Sequence, residues 1–137
     1  MPMTHLSVTD AHAAQCRGIV YIDVRSTQEF ALGHPLGAIN VPLIEPDEDT
    51  GQTMANPDFV RVMTANFDPD TPLLIGCRTG GRSVRASQML EVFGFSQLIN
   101  VKGGFEGWTM CELPTATNPH PGHTWPEQLA KADDVGE

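Results

Sequence analysis

The stretch "IGCRTGGRSV", Ile75 to Val84, sets one cysteine, two arginines and two adjacent glycines inside ten residues. Those residue types suit an anion cradle with a nucleophile inside it. Gly80 and Gly81 let the backbone curl so that successive N–H groups converge on one point. Arg78 and Arg82 add positive charge, and Cys77 supplies a sulfur whose thiolate is the reactive form. Such surroundings favour the thiolate, which could attack phosphorus, a disulfide or another sulfur. The competing reading is an inert cysteine at the end of a strand. It leaves the glycines and arginines without a reason. Cys16 and Cys111 have no comparable neighbours and read as inert.

The flanking residues must position that loop. "PLLIG" predicts a strand that runs straight into Cys77. Ala86, Met89, Leu90 and Phe93 fall at i, i+3, i+4 and i+7, which predicts an amphipathic helix from Ser83 to Phe93. Gly94 closes it in a left-handed cap, with Phe95 behind it. Cys77 therefore lies between a strand end and a helix start, where open parallel sheets bind ligands and the helix dipole adds partial positive charge.

Further elements follow the same alternation. Leu6 to Val8 reads as a short strand, with Thr9 capping a helix from Asp10 to Gln15. "IVYIDV", Ile19 to Val24, is an apolar run suited to a strand covered on both faces. Thr27 opens a short helix, Gln28 to Leu32, that stops at Gly33, and "AINVP" is a brief strand. Asn56 and Pro57 read as N-cap and first residue of a helix carrying Phe59, Val62, Met63 and Phe67 on one face. "QLINV", Gln97 to Val101, is another strand, and "KGGFEGW" turns into a last short helix. Strands alternating with helices predict a three-layer α/β/α fold with a mostly parallel central sheet. Residues 1–113 form the expected domain. Residues 114–137, with four prolines in 24 residues, read as a tail that is partly ordered if Trp125 docks.

Bulk composition sets outer limits. A chain of 137 residues, 40% hydrophobic and 18% charged, fits one globular domain. Its net charge of −9 argues against nucleic acid or an anionic membrane as partner. Three of its eight Lys and Arg residues (Arg78, Arg82 and Arg85) nevertheless gather beside Cys77. Three cysteines without CxxC spacing fit neither a disulfide framework nor a zinc site, so a reducing, cytoplasmic setting is expected. The acidic run Glu45 to Thr50 lacks the spacing of an EF-hand and reads as a solvated loop. His120 and His123, in "NPHPGH", have no third ligand, so neither metal nor cofactor is expected. Asp23 and Arg25, at the end of the second strand, can face the crevice of Cys77. An ion-pair or hydrogen-bonding role suits Asp23 better than that of a general base. His34 reads as a residue that fixes its loop.

Three stretches together carry a family resemblance. "IDVRSTQEFALGHPLGAINVPL" resembles the first signature of rhodanese-homology domains, "CRTGGRS" their active-site loop Cys-x-x-Gly-x-Arg-Ser, and "VKGGFEGW" their closing Gly-Gly-x-x-x-Trp signature. The match runs from about residue 5 to 113. It departs locally, because Pro35 follows His34 directly where the family has one residue between. The resemblance implies a rhodanese-like fold and a sulfurtransferase. Cys77 would take the sulfane sulfur of a thiosulfate-like donor as a persulfide and pass it to a thiol or cyanide acceptor. The loop residues Arg78, Thr79, Gly80, Gly81, Arg82 and Ser83 would hold the persulfide, with Arg82 as main charge partner and Arg78 gripping an anionic donor. Asp23 and Arg25 would support them. Related phosphatases and arsenate reductases place five residues between cysteine and arginine. Four stand here, a shorter ring that suits a single sulfur atom. The alternative within the same fold is a persulfide carrier or sensing module that serves a protein partner.

Overall fold

The computed structural model describes residues 4–46 and 49–135. A five-stranded sheet forms the middle layer, in the order β1 (Thr4–Ser7), β8 (Leu98–Lys102), β7 (Leu73–Gly76), β2 (Val20–Asp23) and β4 (Ile39–Asn40). Every neighbouring pair in it is parallel. Helices α1 (Val8–Cys16), α2 (Thr27–Leu32), α3 (Phe59–Asn66), α4 (Gly81–Val92), α5 (Gly104–Met110) and α6 (Trp125–Val135) surround it. Two small antiparallel ribbons complete the chain: β3 (His34–Pro35) with β9 (Thr115–Ala116), and β5 (Ile44–Pro46) with β6 (Thr53–Ala55).

The two-residue period of the strands divides the core between the sheet faces. Ile22, Leu73 and Ile75 join Phe59, Val62, Met63, Ala86 and Leu90 on one side. Tyr21, Leu74 and Val101 join Val8, Ala11, Ala14 and Trp108 on the other. The central strand β7 is therefore buried along its whole length, and its C-terminal end is fixed from both faces.

Several element starts differ from the sequence expectation. Ser7, not Thr9, caps α1: its hydroxyl accepts the Asp10 amide at 3.2 Å, which brings Val8 into the first turn, where it is buried. The Asn56 side chain accepts the Asp58 amide at 3.0 Å, so a turn occupies 56–58 and α3 starts at Phe59 instead of Pro57. On α4 the buried positions are Ser83, Ala86, Ser87 and Leu90, while Met89 and Phe93 are exposed. A count of apolar residues alone rotates that face, because two internally bonded serines lie on it. Glu45 and Pro46 pair in a ribbon rather than a loop, and Glu45 accepts the amide and hydroxyl of Thr27 at 2.6 and 3.0 Å. Asp47 and Glu48 of that acidic run lie outside the described residues.

Residues 114–135 lie against the domain. The Pro114 carbonyl accepts the Trp108 indole N–H at 2.7 Å, and β9 pairs with β3. Trp125, Leu129 and the buried Ala132 pack on the core beside α3.

Candidate functional site

Cys77 follows β7 directly and is 2% exposed. Gly80 next takes φ +140, a backbone state open to glycine, and so folds the chain back into α4. That fold directs the Gly80 N–H at the Cys77 Sγ, 3.0 Å away. The first turn of α5 holds the other side of the loop. Its Phe105 and Glu106 amides donate to the Cys77 and Arg78 carbonyls at 2.8 and 3.0 Å. With those carbonyls engaged by α5, the Gly80 N–H is the backbone group that the loop turns toward the sulfur among the described residues. Gly104 makes this approach feasible: a Cβ there would collide with both carbonyls, and its φ of +56 is itself left-handed.

Arg82 is the second residue of α4, but its guanidinium is taken by Glu29 at 2.6 and 3.0 Å. Glu29 also completes the capping box of α2, accepting the Ser26 amide and hydroxyl at 3.1 Å. The Arg82 hydrogen bonds hold the Glu29 carboxyl down to about 2, and Glu29 raises Arg82 in return. Arg82 is thus oriented by a carboxylate. Arg78 is exposed at the mouth, its Nε 3.6 Å from Glu106. Thr79 is exposed, and Arg85 projects into solvent from α4. Ser83 is fully buried, its Oγ 3.5 Å from the Cys77 sulfur.

Asp23 and Arg25 are buried together. The guanidinium grips the carboxylate at 2.7 to 3.2 Å, donates to the Gly33 carbonyl at 2.6 Å and lies 4.3 Å over the Phe105 ring. The Asn40 side chain bridges the Asp23 and Arg25 carbonyls at 3.0 Å. This clamp joins β2, α2 and α5 below the mouth. His34 donates from Nδ1 to the Phe30 carbonyl at 2.8 Å and stacks on the Phe30 ring, and burial lowers its affinity for a proton. The Tyr21 phenol packs against Gly76, where a Cβ would strike it, and burial pushes its ionisation well above the ordinary value.

A cleft of about 340 Å³ opens beside the loop, walled by Arg25, Leu32, Arg78, Phe105 and Glu106. A larger one, about 430 Å³, lies near the start of β2 and is lined by Cys16 and His123 but by none of the loop residues. His120 and His123 stack at 5.4 Å. Among the described residues no three metal-binding side chains converge. Asn100 and His5, which connect to Ser83, carried no sequence signal, since Asn100 meets Ser83 through the packing of α4 on β8 and His5 meets Asn100 through the pairing of β1 with β8.

Fold and site define an open, parallel α/β protein that keeps one buried cysteine under the Gly80 amide in a loop at a strand end. The family model described as "Rhodanese-like domain" matches residues 7–111, and the chain belongs to that family. It is 37% identical over 110 residues to Thiosulfate sulfurtransferase 16, chloroplastic, of Arabidopsis thaliana, covering 80% of this chain and 90% of that protein. It is 38% identical to Rhodanese-like domain-containing protein 15, chloroplastic, of the same plant, over 81% of this chain but only 60% of that longer relative. Among solved structures, the rhodanese-like domain of an Anabaena protein superposes with a TM-score of 0.69 at 18% identity, over 86% of this chain and 81% of that one. That likeness speaks for the fold.

Proposed function

We propose that the protein is a sulfurtransferase that carries sulfur on Cys77. The observation that carries this reading is the Gly80 N–H aimed at Sγ from 3.0 Å, at the start of α4. In the first step the Cys77 thiolate attacks the outer sulfur of a thiosulfate-like donor. A new S–S bond forms, the donor's S–S bond breaks, and sulfite leaves with the electron pair. The terminal sulfur of the persulfide lies among the loop amides from Thr79 to Ser83, beside the positive end of α4. In the second step cyanide or a thiolate attacks that sulfur and restores the Cys77 thiolate. Arg78, exposed at the mouth, grips the anionic donor. Asp23 and Arg25 brace the floor, and the three free cysteines suit a reducing, cytoplasmic setting.

Two half-reactions on one residue require ping-pong kinetics. Double-reciprocal plots against thiosulfate at several cyanide concentrations are expected to be parallel, with Cys77→Ser inactive. Intersecting lines would contradict a covalent intermediate. A second reading, a carrier that hands sulfur to a protein, draws on Leu32, which is 84% exposed on the wall of the cleft. It predicts slow turnover with cyanide and rapid discharge to the protein partner.

A further inference from the structure

The Ser83 hydroxyl has one proton and three neighbours that compete for its orientation. Its Oγ lies 2.5 Å from Asn100 Oδ1, 3.0 Å from the Gly80 carbonyl and 3.5 Å from the Cys77 sulfur. The Asn100 contact is the shortest, so the proton points to the amide oxygen. The Ser83 lone pairs then face Cys77 and can accept the thiol proton, but this arrangement offers nothing to a negative sulfur. Beyond Asn100 the chain continues, because its Nδ2 donates to Nδ1 of His5 at 3.0 Å. Ser83 is fully buried and Asn100 is 4% exposed, whereas His5 is exposed.

We propose that Asn100 is a positioning residue that acts through Ser83 on the charge of Cys77, with His5 as its outer anchor. Reversing the Asn100 amide places Nδ2 toward Ser83 and Oδ1 toward His5. Ser83 then accepts from Asn100 and donates its proton to the sulfur. The reversal sacrifices no hydrogen bond at the outer end, since a neutral imidazole carries its proton on either nitrogen. Two settings of one buried chain therefore match two states of the sulfur: oxygen toward Ser83 for the thiol, nitrogen toward Ser83 for the thiolate or persulfide. The inference rests on Cys77 reacting as a thiolate and adds the residues that prepare it.

Asn100→Asp tests it, because a carboxylate only accepts and keeps the Ser83 proton away from sulfur. In a Cys16→Ser, Cys111→Ser background, Cys77 is expected to be alkylated by iodoacetamide about tenfold more slowly at fixed pH, the loss of one hydrogen bond to a charged group. The ultraviolet absorbance of the thiolate falls in parallel. The decisive comparison repeats Asn100→Asp in Ser83→Ala, where it is expected to have little further effect. The charged and titratable groups that interact with Cys77, Arg82 and Tyr21 among them, are common to all four proteins and cancel from this cycle. An equal slowing with and without Ser83 would reveal direct charge repulsion and overturn the proposal, as would no slowing at all. Should the aspartate prevent folding, the Asn100 side-chain amide resonance serves instead. It is expected to shift when Cys77 is persulfidated and to stay fixed in Ser83→Ala; an equal shift in both contradicts the relay. Alkylation needs no sulfur donor, so a wild type that fails to form a persulfide would defeat the proposed function and leave this cycle readable.

Discussion

At Glu29 one carboxylate accepts two N–H groups of Arg82 and both polar groups of Ser26, joining the cap of α2 to the cysteine loop. Its folded value of about 2 lies below the ordinary 4.5, so the native protein binds fewer protons than the unfolded chain between those limits. The stabilisation is complete above pH 4.5 and is lost as pH falls toward 2. Its size is trimmed by solvent, because both side chains are about a quarter to a third exposed. The melting temperature of wild type is therefore expected to drop more steeply across that acid range than that of Glu29→Gln, and identical slopes would contradict the pairing. Arg78 is a different case, exposed and held among the described residues by a 3.6 Å contact with Glu106. Arg78→Ala is expected to raise KM for thiosulfate about tenfold with kcat nearly unchanged, the pattern of lost ground-state binding. Initial-rate kinetics check this, and a fall in kcat alone would assign Arg78 to the chemical step instead.

Strand β7, the loop and helix α4 form the unit that holds the sulfur, and α5 closes it. Gly104→Ala is expected to cost about 2 kcal/mol or more, because the new Cβ meets the Cys77 and Arg78 carbonyls at a left-handed φ. Gly81→Ala has open space around it and is expected to stay within about 0.5 kcal/mol of wild type. Denaturant titration of the two proteins separates a packing requirement from mere loop composition. This unit was legible in the sequence because strand, glycine pair and helix lie within one short stretch. The start of α3 was not, since the Asn56 side chain can cap a helix or close a turn, and local sequence does not choose. The buried face of α4 is hidden for a related reason: serines on that face satisfy themselves within the protein, Ser87 on the Ser83 carbonyl at 2.8 Å. Arg82 looked like a partner for sulfur, and only the folded chain brings Glu29 to it from 53 residues away.

Across the whole molecule, residues 114–135 behave as part of the packing. Trp125, Leu129 and Ala132 cover the face that α3 leaves open, Arg61 pairs with Asp133 at 2.9 Å, and the Asn66 amide donates to the Gln128 carbonyl at 2.9 Å. Trp125→Ala, at a partly buried position, is expected to cost about 2 kcal/mol in chemical denaturation, and truncation after Leu113 to cost more than that in the same titration. A truncated chain with unchanged stability would show that the packing contributes nothing. Prolines and few hydrophobes resemble a loose tail in composition, and a handful of anchors, Trp125 among them, is enough to dock the segment. Long-range pairing hides the His5–Asn100–Ser83 chain, because β1 and β8 bring His5 to Asn100 from 95 residues away. Storage of sulfur on Cys77 is read out by the intact mass of the protein after incubation with thiosulfate. A gain of one sulfur atom, absent in Cys77→Ser and removed by cyanide, is the predicted result; an unchanged mass, or the same gain in Cys77→Ser, would contradict it.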